Sequence, residues 1–241
     1  MTSELNPAIV THPSGHDSLN LHASIDKTAF NPAADLPFEL RISDFEHAML
    51  DVYDFFADVN QLLSKKGLKR LDDMMRPAAM SGIISDMMTA SLARFSRSLV
   101  ENRHFNGHPD LIVRGRYAND AIASGSDGIE IKSTRKAGGA VDTHGARQQW
   151  MCVFVYVVDN STEPASERQP MRFTEVYLGK VRQDDFRRNA RSSLGTRTAT
   201  LHKQGIAKLR LNWIYRIGSA RTSSSQSAKP RSTTKSKSSK A

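Results

Sequence analysis

The stretch WMCVFVYVVD, residues 150–159, is apolar at nine successive positions. A strand with one face in water alternates apolar and polar residues. An unbroken apolar run of strand length is instead buried on both faces. Such a strand needs a layer of structure on either side. The chain is therefore constrained to an α/β or α+β architecture: a central mixed sheet flanked by helices. Cys152 lies inside this run and is the lone cysteine. That excludes an intrachain disulfide and a cysteine-based zinc site, and the residue reads as a small buried hydrophobe.

The rest of the chain supplies the layers. Residues 43–63, SDFEHAMLDVYDFFADVNQLL, place Phe45, Met49, Val52, Phe56, Val59 and Leu63 at spacings of three and four, the apolar stripe of an amphipathic helix. Ser43 and Glu46 form a capping box at its start, and Gly67 marks its stop. A second helix is expected after Pro77, over roughly residues 79–101, with Ile83, Ile84, Met87, Met88, Leu92, Phe95 and Leu99 on one side. Met74, Met75, Met80, Met87 and Met88 read as gap-filling core. Residues 110–117 and 128–134 read as a strand hairpin with a long connection rich in Gly and Ser, and 171–181 as a further strand. Residues 135–149 read as a loop with at most two helical turns, 183–193 as a short helix, and 194–217 as a helix followed by a strand at NWIYRI. Residues 1–36 carry Pro7, Pro13 and Pro32 and no periodicity. They form a polar arm, poorly ordered or packed in extended form on the domain. Its His12, His16 and His22 have nothing to fix a metal geometry.

The hairpin poses the chemical question. On a strand over 128–134, Glu130 and Lys132 point to one face and Ile129 and Ile131 to the other. Asp110 heads the neighbouring strand, so its carboxylate reaches the same end of the sheet. Two carboxylates and a backbone carbonyl such as that of Ile131 make a hard oxygen site of the kind Mg²⁺ prefers. A bound metal would lower the pKa of a water and stabilise phosphate charge. Lys132 would hold the attacking water and offset growing negative charge. The bland alternative is a surface ion pair between Glu130 and Lys132 on a half-exposed strand.

Pro109-Asp110, then Glu130-Ile131-Lys132 after an apolar strand, resembles the PD-(D/E)xK nuclease superfamily over about residues 80–160. The resemblance implies a restriction-endonuclease-like fold: helix, three-stranded antiparallel meander, helix and a further strand. Residues 98–105 are the candidate for the meander's first strand. The resemblance also implies Asp110, Glu130 and Lys132 as catalytic residues. It gives Mg²⁺ held by Asp110, Glu130 and the Ile131 carbonyl, with Mn²⁺ able to substitute. Many members carry a further acid on the early helix, for which Glu101 and Asp86 are candidates. The short, glycine-containing connection after Lys132, with Gly138, Gly139 and Gly145, departs from the family's full second helix. The activity implied is hydrolysis of DNA phosphodiester bonds by a restriction or phage-defence endonuclease. The alternatives are a repair or recombination nuclease, or a non-catalytic DNA-binding subunit. Cutting both strands of a duplex with this chemistry implies a homodimer, with partner subunits of a defence system open.

Charge fits a polyanion partner. The net charge is +9, yet residues 180–216 hold ten Lys and Arg against two Asp, and residues 219–241 hold six against none, so the remainder is negative. Arg135 and Lys136 are placed to clamp the DNA backbone. His144 is open to two readings, proton transfer or loop stabilisation. Arg147 and Gln148 lie in the same loop, and the family resemblance gives Gln148 and Gln149 a role in orienting phosphate. Arg187, Arg188, Arg191, Arg197 and Lys203 mark the expected main DNA-facing surface, or a dimer contact. The expected organisation is an arm over 1–36 and one domain over 37–218, with a helical part at 40–101, a catalytic core at 102–160 and a basic part at 170–218. A disordered basic tail over 219–241 follows. With no secretory signal and no membrane-length apolar run in the sequence, a cytoplasmic, nucleoid-associated protein is expected. Deleting residues 219–241 should weaken duplex DNA binding for all sequences alike. The log–log salt slope should fall by about 0.9 for each phosphate the tail neutralises. A titration series over salt checks this, and an unchanged slope would show that the tail does not touch DNA.

Overall fold

A computed structural model describes residues 21–136, 138, 141–143, 145–188 and 198–218. In chain order the elements are α1 (Ile42–Lys65), α2 (Leu71–Met74), α3 (Pro77–Phe95), β1 (Leu99–Glu101), β2 (Leu111–Val113), β3 (Gly128–Thr134), β4 (Asp142–Thr143), β5 (Gln149–Val157), β6 (Arg172–Val181), β7 (Phe186–Arg188), β8 (Ala199–Leu201), α4 (Lys203–Leu211) and β9 (Trp213–Arg216). The fold is mixed α/β. Six strands form one sheet in the order β1-β2-β3-β5-β6-β9. β3 and β5 run parallel and every other neighbouring pair is antiparallel. β4, β8 and β7 form a separate antiparallel sheet of three strands. Among the described residues no helix is long and apolar enough to cross a membrane.

The apolar run is the centre of this arrangement. β5 lies between β3 and β6, and its alternate residues feed two cores. Cys152, Phe154 and Tyr156 join Ile129 and Ile131 against Phe45, Met49, Val52 and Phe56 of α1 and Met80, Ile84, Met88 and Leu92 of α3. Met151, Val153 and Val155 join Tyr177 and Val181 against Leu209 of α4, Phe186 of β7 and Leu201 of β8. Cys152 is buried, and that burial pushes its thiol pKa up. Residues 21–36 pack beside β9. Asn31 N–H donates to the Ile214 carbonyl at 2.9 Å, and Phe30 bridges to Tyr215. This covers part of an exposed sheet edge.

Several sequence expectations are corrected. The cap of α1 is closed by Asp44 and not by Ser43 with Glu46. The buried Asp44 carboxylate accepts the Arg41 N–H at 2.9 Å and pairs with its guanidinium, while Glu46 pairs with Lys27 at 2.7 Å. The second helix ends at Phe95 rather than near residue 101. There the Ser96 hydroxyl donates to the Leu99 carbonyl and accepts the Leu99 N–H, both at 3.1 Å, and turns the chain. Leu99 keeps the helical spacing yet enters the core from a strand, which is why periodicity overran the helix. Residues 183–185 are a single 3-10 turn and 186–188 a strand, not a helix. Phe186 pairs with Leu201 of β8, the next strand in the chain, and both enter the second core. Between β3 and β5 the described residues contain β4 and no helix. Of the five methionines read as core, Met74 is 47 % exposed.

Phe154 is wholly buried, with its ring centroid 6.4 Å from Phe45 and 5.6 Å from Phe173. Phe154→Ala should lower unfolding free energy by roughly 3–5 kcal/mol in urea denaturation. A loss below about 1 kcal/mol would show that this layer is not tightly packed.

Candidate active site

The site grows from the register of β2 against β3. Leu111 pairs with Ile129 and Ile112 with Gly128, so Asp110, one residue before β2, falls opposite Glu130. Gly128 permits this approach. A Cβ there would lie 1.9 Å from the Leu111 carbonyl oxygen, which no other residue type tolerates. β2 covers β3 only at Gly128 and Ile129. From Glu130 onward that edge of β3 is open, and Asp110 Oδ2 accepts the Ile131 N–H at 2.7 Å.

Glu130 is fully buried. Its Oε1 lies 2.6 Å from Lys132 Nζ and its Oε2 lies 3.2 Å from His108 Nδ1. Lys132 Nζ also sits 3.5 Å from Asp110 Oδ2 and donates to the Ile131 carbonyl at 2.9 Å. One ligand atom each from His108, Asp110 and Glu130 can be chosen so that all lie within 4.8 Å of one another. Burial is the strongest influence on Glu130 and opposes its charge. The His108 and Lys132 interactions overcome it and hold the carboxyl down at about 2. Burial likewise dominates at Asp110 and raises its pKa, with Glu130 adding to it against the pull of Lys132. Burial disfavours the Lys132 ammonium, but the two carboxylates outweigh it and raise its pKa. Glu130 Oε1 has no hydrogen-bond partner of good geometry despite its burial, although the ammonium is near. Two carboxylates and an imidazole whose ligand atoms come within 4.8 Å of one another fit a divalent metal of the Mg²⁺ or Mn²⁺ kind.

The three residues read as catalytic are therefore brought together, and the half-exposed surface pair is corrected: Glu130 is fully enclosed. Ile131 contributes its N–H to Asp110 and its carbonyl to Lys132. His108 was missed. It stands two residues before Asp110, outside any strand, and no period in the sequence marks it; the turn into β2 brings it to Glu130. Asp86 is on α3 and lines a cleft of about 710 Å³ together with Lys132, Arg135 and Lys136. Glu101 is exposed at the end of β1. Arg135 donates to the Val158 carbonyl at 3.3 Å. Gln149 is buried at the start of β5, whereas Gln148 is exposed and Arg147 half-buried. Arg187 and Arg188 are on β7 and Lys203 opens α4. These three belong to the layer over the second core. His144, Arg191 and Arg197 lie outside the described residues, as do His12, His16 and the tail. No family model, curated protein or solved structure matches the chain.

Glu130 titrates at about 2 in the fold against an ordinary 4.5, so its charged form stabilises the fold above pH 4.5 and that contribution fades as pH falls toward 2. Lys132→Met removes the cation. At neutral pH it should cost roughly 3–5 kcal/mol, because it strands a buried charge. In urea melts the deficit should shrink in acid, where a protonated Glu130 needs no partner. A deficit below about 1 kcal/mol would place the pair with exposed ion pairs.

Proposed function

We propose that this chain is a divalent-metal-dependent nuclease that hydrolyses DNA phosphodiester bonds, of the restriction or phage-defence kind, with repair or recombination as its alternative setting. The observation that carries the reading is the full burial of Glu130 beside Asp110, Lys132 and His108 at one open strand edge. A charge is taken out of water at such cost only where close partners offset it, and perturbed carboxylates of this kind gather at functional sites. The chain order also supports it. β1, β2 and β3 form an antiparallel meander after α3, and β5 adds in parallel. This is the order the PD-(D/E)xK resemblance implies, apart from the second helix.

Asp110, Glu130 and His108 would hold the metal, which when bound supplies Lewis-acid charge and a more acidic water. Lys132 orients that water and offsets charge developing on the phosphate. The raised ammonium pKa keeps Lys132 charged for that work at neutral pH. Arg135 and Lys136, on the wall of the adjoining cleft, steady the strand by its phosphates.

A second reading, a non-catalytic DNA-binding protein, has its own observation. Lys132 Nζ already contacts Glu130 and Asp110, the two carboxylates a metal would use, and donates to the Ile131 carbonyl. In that reading the cluster is an internal ion pair only. Plasmid cleavage in Mg²⁺ or Mn²⁺, with an EDTA control, separates the two. Wild-type protein should cut, and Asp110→Asn and Glu130→Gln should not, while still binding DNA. Lys132→Ala should slow single-turnover cleavage by about 10²- to 10³-fold. Wild-type cleavage by Asp110→Asn, or no Mn²⁺ binding by calorimetry, would sink the nuclease reading.

A further inference from the structure

A cleft of about 780 Å³ opens where β3, β5, β6 and β9 end together. Its walls carry Arg135, Arg172, Arg210 and Arg216 against one acid, Glu175, among the described residues. Glu175 is committed to Arg210 at 2.7 Å, and it reaches Arg216 Nε only at 4.0 Å. Arg216 Nε is buried without a hydrogen-bond partner. Arg172 is exposed and makes no hydrogen bond or ion pair among the described residues. Three positive charges are thus in surplus over the carboxylate. Aromatic rings hold two of the guanidiniums in place. Arg210 lies 5.2 Å and Arg216 5.9 Å from the Tyr177 ring centroid, and Arg216 lies 5.3 Å from that of Trp213. Positioned guanidiniums present planar forks that match phosphate oxygens.

Among the described residues no second acid lines this cleft. The sequence that follows Gly218, on the wall of the cleft, has six Lys and Arg and no acid. An anionic group of another molecule would balance this surplus. Position identifies which one. Val155 in the cleft pairs with Thr134, and Met151 pairs with Glu130. The cleft therefore starts four residues along β3 from Glu130, roughly 13 Å at strand spacing. Arg135 lines both this cleft and the one that holds Lys132. The two clefts thus adjoin at Arg135, and Lys132 on the wall of the second one contacts Glu130 and Asp110.

We infer that the arginine cleft binds backbone phosphates of a DNA strand whose neighbouring phosphodiester lies at Glu130 and Lys132. The identity of the polyanion rests on the nuclease reading; the need for a phosphate-like anion does not. Guanidiniums aimed at phosphate fix the position of the strand and carry no base readout. The contact is therefore independent of sequence.

Binding of a short fluorescein-labelled DNA duplex to the full chain in EDTA tests this with chemistry silent. Arg172→Glu should weaken binding roughly tenfold. Arg172→Ala and Arg216→Gln should each lower the log–log salt slope by about 0.9, the value for one phosphate left without its cation. Thermal melting should change little for the Arg172 variants, because the exposed guanidinium holds nothing in the fold. That keeps the test sound if Arg216→Gln misfolds. Wild-type affinity and slope in both Arg172 variants would overturn the cleft assignment, whatever the cleavage result. Dependence on Arg172 in a protein that never cleaves would keep the cleft and remove the nuclease. Stabilisation by inorganic phosphate, with DNA affinity indifferent to Arg172→Glu, would mark a free-phosphate site and overturn the strand assignment.

Discussion

A carboxylate fully removed from water, Glu130 on a strand at the centre of the sheet, sets the terms for everything near it. An isolated charge in such a place is untenable, so it demands close partners. Lys132 meets it at 2.6 Å because residues two apart on a strand share a face, and His108 meets it at 3.2 Å from the segment entering β2. That segment is itself fixed. The Asn102 amide donates to the Pro109 carbonyl at 3.0 Å and the Ile122 carbonyl at 2.8 Å, and its oxygen accepts the Ile122 N–H at 3.0 Å. Gly128 lets β2 close on β3 tightly enough to set Asp110 opposite Glu130. The compensated charge thereby goes together with the loop geometry around Asn102 and with a glycine two residues before the carboxylate.

The two faces of the sheet divide the labour. One is sealed by α1 and α3 over an aromatic and methionine core. The other is covered by α4 and the small sheet over β5 and β6, while β3 beyond Ile129 lacks a partner on the β2 side. At that open edge rigid strands hold the charged groups. Lys132 and Arg135 both line the cleft beside α3, together with Lys136, Asp86 and Asp142. Sites carried on strands hold geometry better than sites on loops.

Much of this was legible in the sequence. The bounds of β3, the double burial of β5, the strand at β6 and the stripe on α1 follow from periods of two and of three to four. The convergence of Asp110, Glu130 and Lys132 followed from alternation along a strand and from a hairpin. Other features were not legible. Leu99 satisfied a helical spacing but sits on a strand, since a buried position is apolar whichever element delivers it. Residues 186–188 pair with β8, but Phe186-Arg187-Arg188 offers a single apolar residue and so no strand period to read. Asp44 displaced Glu46 as the cap because the helix begins at Ile42, which makes Asp44 its third residue and places its carboxylate on the Arg41 N–H.

The sequence by itself determined the layered α/β class, through an apolar run that water could not touch on either side. It also determined that two acids and a lysine share one strand end, since side-chain alternation is a property of the covalent chain. Tertiary structure decided the rest. It chose which edge stays open, brought His108 to Glu130, and gathered Arg135, Arg172, Arg210 and Arg216 around one cleft. Those four arginines come from the end of β3, β6, α4 and β9. Charges so far apart along the chain meet only through strand pairing and helix packing, which depend on long-range burial rather than on any local pattern.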